Sequence, residues 1–294
     1  MAGAACCCRT ARGIPVAQAP KDAEITVKTA SLLRQPECCI GEGYTEFSRR
    51  PRKRAAAVHG IPERVNGPLP VLLRTPDLVI VNKPSGIVVH PGWADDGGGI
   101  VAQAAAQFGQ RVWPVHRLDR ATSGALCLAF SADAVRVLSE QWATPAVQKS
   151  YIAIVRGHLD GSQLVDHPIP NKPDGPRVPS QTTITSLATW ERYALVLAQP
   201  HTGRLHQVRR HLKHVSCPVI GDANYGKGEH NRLFREQFGL DRLALHAIAL
   251  SLPDPVTETQ SHFVHVLPDG KLADCLRATG LWDALPAEAM LRSL

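Results

Sequence analysis

The 294 residues are 44% hydrophobic and 20% charged, with 23 Gly and 23 Pro, which allows a sizeable core and excludes a wholly disordered chain. The formal net charge is +7, and residues 1–64, with eleven Lys/Arg against six Asp/Glu, carry +5 of it, so the remainder is nearly balanced. No apolar run reaches the roughly 20 residues of a membrane helix, the opening lacks the apolar stretch of a secretory signal, and the eight cysteines form no C-x-x-C pair or zinc spacing. A cytoplasmic protein with reduced thiols is expected.

Residues 1–64 lack sustained periodicity and end in RRPRKRAAAVHGIPER, a Pro-interrupted basic stretch that reads as a flexible extension; an ordered domain is expected over 65–294. VLLR (71–74) reads as a strand. DLVIVNKPSGIVVHPG (77–92) reads as two short strands joined at Pro84-Ser85-Gly86. The spacing predicts a helix over 100–109, a buried strand over 125–130, a helix over 132–142 and a strand over 149–159. Beyond these come a strand over 189–200, a strongly basic helix over 203–214, a short helix in NRLFREQFG, and closing strands over 242–252 and 261–268. Many short strands with few helices predict an α+β fold, with a mixed, largely antiparallel central sheet flanked by helices and loops.

VHRLDRATSG (115–124) sets Asp119 between Arg117 and Arg120, so this carboxylate is expected to work ionised rather than as a general acid. Taken alone, HRLD (116–119) reads more readily as a surface ion pair within a turn. His206, His211 and His214 are spaced five and three apart with no acid between them, which does not suit zinc. GDANYGKG (221–228) approaches a phosphate-binding loop, but Gly228 stands where a hydroxyl should meet magnesium, so a structural turn is the better reading. Ordinary glycoside hydrolysis needs two flanking carboxylates, and none accompanies Asp119 nearby in sequence. A single ionised aspartate suits nucleophilic or electrostatic work at a sugar–base bond.

The same decapeptide resembles the aspartate motif of the RluA family of RNA pseudouridine synthases, H/G-R-L-D-x-x-T-S-G. Three further segments stand in that family's order: NKPSGIVVHPG before the aspartate, KSYIAIVRG after it, and TGRLHQVRRHLKHVSCPVIGDANYG last. The resemblance covers about residues 68–268, and GDANYGKGEHNRLFREQFGLDRLALHA is similar to the branch that modifies uridine 65 in the T stem of tRNA.

That resemblance implies a uridine isomerase of RNA, foremost tRNA, that needs no cofactor or metal and acts as a monomer, with 65–294 as its catalytic domain. It implies Asp119 as catalytic carboxylate, Arg204 as the cation paired with it, and Tyr151 against the uracil, where its phenol takes the C5 proton. Extrusion of the base is expected to bring Arg117 into the vacated stack. Lys149, His206, Gln207 and Arg209 are expected to meet phosphates or sugar edges of the RNA. Two alternatives stand beside it: a ribosomal RNA isomerase of the same family, and an RNA-binding or RNA-folding protein without turnover.

Overall fold

The computed structural model describes residues 67–90, 99–170, 175–257 and 260–293. The basic stretch at 49–54 lies outside them. The elements in chain order begin with β1 (Val71–Arg74), β2 (Leu78–Lys83), α1 (Gly99–Phe108), β3 (Trp113–Pro114), β4 (Ser123–Ala129) and α2 (Ala132–Gln141). They continue with β5 (Gln148–Arg156), β6 (Ser162–Asp166), the short pair β7 (Ile169–Pro170) and β8 (Arg177–Val178), then β9 (Gln181–Trp190) and β10 (Tyr193–Pro200). Last come α3 (Gln207–His214), α4 (Gly228–Phe238), β11 (Leu245–Pro253), β12 (Ser261–His265), α5 (Gly270–Ala278), a 3-10 turn (Trp282–Ala284) and α6 (Glu288–Arg292).

Among the described residues, ten strands form one sheet in the order β1-β2-β4-β11-β5-β10-β9-β6, with β12 beside β11 and β3 beside β4. Every pairing is antiparallel except that of β4 with β11, which sets His246 opposite Ser123 and Ala247 opposite Gly124. The expected mixed, largely antiparallel sheet is therefore present. Its central strands are buried on both faces: every residue of SGALCLA in β4 is buried, as are eight of nine in β11. Such strands read as continuous apolar runs rather than alternating ones.

Local chemistry explains where elements start and stop. Ser131 Oγ accepts from the Ala134 amide at 3.1 Å and opens α2, while Gly239, at φ +65°, closes α4 in the left-handed conformation that glycine adopts without strain.

Two expectations fail. IVV after Pro84-Ser85-Gly86 is not a strand: the Gly86 amide donates to Arg120 O at 2.8 Å, and the Val88 and Val89 carbonyls accept from the first amides of α1. Those backbone groups are satisfied by the aspartate loop and a helix end, which leaves nothing for a ladder. The strand expected over 189–200 is the second arm of a hairpin, since Glu191, at φ +50°, turns the chain between β9 and β10. β9 itself has no counterpart among the expected strands. Its sequence, QTTITSLATW, is too polar to announce a partly exposed strand.

Candidate active site

The Asp119 loop joins β3 to β4, and the Thr122 amide closes its turn by donating to Asp119 O at 3.0 Å. Ser85 Oγ donates to Ala121 O, Arg120 Nε donates to Gly86 O at 2.8 Å, and Lys83 Nζ donates to both Pro84 O and Arg120 O. The NKPSG segment is thus the bed on which the aspartate loop lies. Lys83 is fully buried, and burial first, then the nearby Arg242 charge, brings its ammonium down to about 7.

A cleft of about 490 Å³ opens above this loop, walled by residues of the Asp119 loop, of β5, and of the chain entering α3. Asp119, Tyr151, Arg117, Lys149, Arg204, His206, Gln207 and Arg209 all line it. Every sequence-predicted site residue therefore reaches one cavity, although β5 and α3 come from distant parts of the chain. The chemistry divides among them differently from the expectation.

Asp119 pairs with Arg209, not Arg204. Arg209 Nη1 donates to Asp119 Oδ2 at 2.8 Å, while the other edge of the same guanidinium grips Asp222 through two 2.7 Å bonds. Arg204 is exposed on the turn before α3, with its Nε 3.4 Å from Pro179 O. The physical reason is placement. Arg209 is buried within the helix, on the face that looks at both carboxylates, and a planar fork can hold two acids at once.

Burial alone would raise the Asp222 carboxyl, but the Arg209 fork and the amides of Tyr225 and Asn224 overcome it and hold it below its ordinary value. Sequence reasoning misses Asp222 because it weighs GDANYG only as a phosphate loop. The available signal is an acid directly after the apolar PVIG, where only a buried cation makes it tolerable.

His206 caps the start of α3 in the left-handed conformation, φ +55° and ψ +29°, which is strained for a residue with a Cβ. Its Nδ1 lies 3.1 Å from the Tyr225 hydroxyl, and its Nε2 lies 3.7 Å from Asp119 Oδ1. Burial lowers its pKa, with Arg209 and Arg210 opposing the upward pull of Asp119.

Gln207 departs from the expected RNA contact. Its Oε1 accepts from Thr202 Oγ1 and the Arg204 amide, and its Nε2 donates to Gln181 O and Thr182 Oγ1. With all its bonding capacity engaged within the protein, it clamps the α3 entry to β9.

Tyr151, on β5, is pushed up well above the ordinary phenol range by burial and by the Asp119 charge. No group among the described residues hydrogen-bonds its hydroxyl. A neutral phenol offers a ring face and a donor rather than a ready base. Lys149, also on β5, donates to Trp142 O at 2.9 Å and lies over the Trp142 ring, and burial brings its ammonium down to about 8. Arg117 is exposed at the cleft.

Comparison with known proteins accords with this arrangement. A family model described as RNA pseudouridylate synthase matches residues 77–214. The chain is 39% identical over 215 residues to tRNA pseudouridine synthase C of Pasteurella multocida, covering 65% of this chain and 88% of that protein. The Vibrio cholerae protein of the same name is 38% identical over 204 residues, with 62% and 84% covered. Among solved structures, human RNA Pseudouridylate Synthase Domain Containing 4 superposes with a TM-score of 0.59 at 26% identity, over 72% of this chain and 93% of that one. Motifs, sheet, cleft and relatives agree, and the chain belongs to the RNA pseudouridylate synthase family, in its RluA type.

Proposed function

We propose that this protein isomerises a uridine of tRNA to pseudouridine, at position 65 in the T stem, with Asp119 as the catalytic carboxylate. The observation that carries the reading is the state of Asp119. Arg209 holds its Oδ2 at 2.8 Å, its Oδ1 lies 3.7 Å from His206 Nε2, and Asp119 and Tyr151 both line the cleft. A carboxylate aimed by a cation beside an aromatic ring is what a flipped uridine needs. The tRNA substrate is supported by the names of the relatives in Pasteurella and Vibrio.

In the reaction the N1–C1′ bond breaks and a C5–C1′ bond forms, while the C5 proton is lost and N1 regains one. Atoms and electrons balance within the substrate. Asp119 acts by attack on the nucleoside or by taking the 2′ proton; the geometry serves both routes. Arg209 holds and orients the carboxylate. Tyr151 stacks on the extruded uracil, a contact worth about 1–3 kcal/mol. Arg117, exposed at the cleft, fills the vacated stack, and Lys149 and Arg204 meet the backbone phosphates. The reading extends to action as a monomer in the cytoplasm. Residues 65–294 form the catalytic domain, and 1–64 a basic extension.

The test is tritium release from unmodified tRNA carrying [5-³H]uridine, with product mapping, for the wild type and Asp119→Asn. Release by the wild type alone, mapped to the T stem, is the expected result. Release from ribosomal RNA in place of tRNA would move the substrate within the family. Wild-type silence on both, with RNA binding retained, would overturn the catalytic reading.

A further inference from the structure

Arg242 lies in the link between α4 and β11 and does not line the cleft. Its guanidinium is nonetheless largely withdrawn from water, and burial brings it down to about 10. Asp269 and Asp241 act on it from a distance, and no carboxylate among the described residues comes within ion-pairing range. A buried cation without a salt bridge is expensive to keep in a fold.

Its hydrogen bonds indicate what it holds. Nε donates to Leu243 O, and Nη2 donates to Leu245 O at 3.2 Å and to Ser123 Oγ at 2.8 Å. Ser123 Oγ also lies 2.8 Å from His246 Nδ1, and His246 Nε2 lies 2.9 Å from Val266 O. Burial brings His246 down to about 4, so it is neutral. Its single proton belongs on Nε2, where the Val266 carbonyl can only accept, and Nδ1 therefore accepts from the Ser123 hydroxyl. The chain runs one way, from Arg242 through Ser123 and His246 to the Val266 carbonyl, and every member is satisfied.

The two ends of this bracket are the two halves of the active site. Ser123 opens β4 four residues after Asp119, beyond the turn closed by Thr122. On the other side the Arg242 carbonyl packs against Gly221 so closely that a Cβ there would overlap it, and Gly221 precedes Asp222, the second acid gripped by Arg209. One residue thus touches both the loop that carries Asp119 and the turn that carries the support of its partner.

We propose that Arg242 is a positioning residue for the isomerisation: its side chain anchors the Asp119 loop through Ser123, its main chain seats the Asp222 turn, and together they keep Asp119 and Arg209 in register. The proposal rests on the isomerase reading for its effect on turnover, but not for its effect on the loop.

The experiment compares full-length wild type, Arg242→Met, Arg242→Lys, Ser123→Ala and the Arg242→Met/Ser123→Ala double variant. It measures kcat, KM and Kd on unmodified tRNA, and amide hydrogen exchange in peptides covering 115–124, with 193–200 as a core control. Arg242→Met is expected to lose about 10²-fold in kcat, as a misplacement of about 1 Å can cause, with KM and Kd within about threefold. Exchange should quicken in 115–124 and stay unchanged in 193–200. Arg242→Lys should recover part of the loss, and the double variant should be no worse than Arg242→Met, because both act through one path. A folded Arg242→Met with wild-type kcat overturns the proposal, as does exchange that rises equally in both regions. If Arg242→Met does not fold, Ser123→Ala decides by the same criteria. If the wild type turns over no RNA, the isomerase reading fails while the exchange comparison still decides the positioning role.

Discussion

At the scale of single residues, Arg209 and Arg204 lie five positions apart in one basic segment and are expected to do different work. Replacing Arg209 with Met leaves Asp119 and the buried Asp222 without their cation, so kcat should fall at least about 10²-fold, the range for loss of one preorganised charge partner. Arg204→Met should leave kcat near wild type, weaken tRNA binding, and reduce the slope of log K against log salt by about 1. Single-turnover kinetics and salt titrations check both. Equal kcat losses in the two variants would contradict the division. Lys83 supplies a pH test. Its ammonium is depressed to about 7 in the folded protein against an ordinary lysine value of 10.5, so between these pH values the unfolded chain binds more protons. Folding stability therefore rises with pH across that window, and the cost of burying the charge is fully present below it. Urea midpoints at pH 7, 8, 9 and 10 should rise for the wild type relative to Lys83→Met. A constant difference would refute the buried charge.

At the scale of elements, close backbone contact holds the site together. Gly124, at φ +111°, lies on β4 where it pairs in parallel with β11, and a Cβ there would overlap the Ala247 backbone. Gly124→Ala is expected to cost at least about 4 kcal/mol or prevent folding, since positive φ and overpacking act together. Gly161→Ala, at φ +59° with open space around it, should cost about 1–2 kcal/mol. Urea unfolding of the pair separates conformational strain from steric overlap. Helices and buried strands are legible at this scale because their apolar spacing is local: α1, α2, β4, β5, α4 and β11 stand within a few residues of their expected bounds. The fate of the NKPSG segment and the presence of β9 are not. Whether Ile87-Val88-Val89 extends into a ladder depends on the aspartate loop that takes the Gly86 amide and on α1, which takes the Val88 and Val89 carbonyls.

At the scale of the whole molecule, residues 1–64 are basic and lack the apolar periodicity of a core-forming segment, and among the described residues the sheet and the walls of the cleft are complete in themselves as one set of ten strands and one cavity. A protein lacking residues 1–64 is expected to melt cooperatively and retain kcat. If its tRNA affinity falls, and falls less as salt rises, the RRPRKR stretch is a phosphate-binding arm; loss of the cooperative transition would instead make those residues part of the fold. The sequence by itself determined the α+β class and the order of the motifs, because apolar periodicity and short motifs are local properties of the chain, and it singled out Asp119 as the candidate carboxylate. The eight site residues it named all line the cleft, beside others such as Trp142, Thr202 and Leu245 to which it gave no role. Only the tertiary structure decided which arginine holds Asp119, that Asp222 supports it, that Gln207 faces inward, and that Arg242 bridges two loops. Each of those depends on distance in space: Asp119 and Arg209 are 90 positions apart, Ser123 and Arg242 are 119 apart, and nothing local marks either pair.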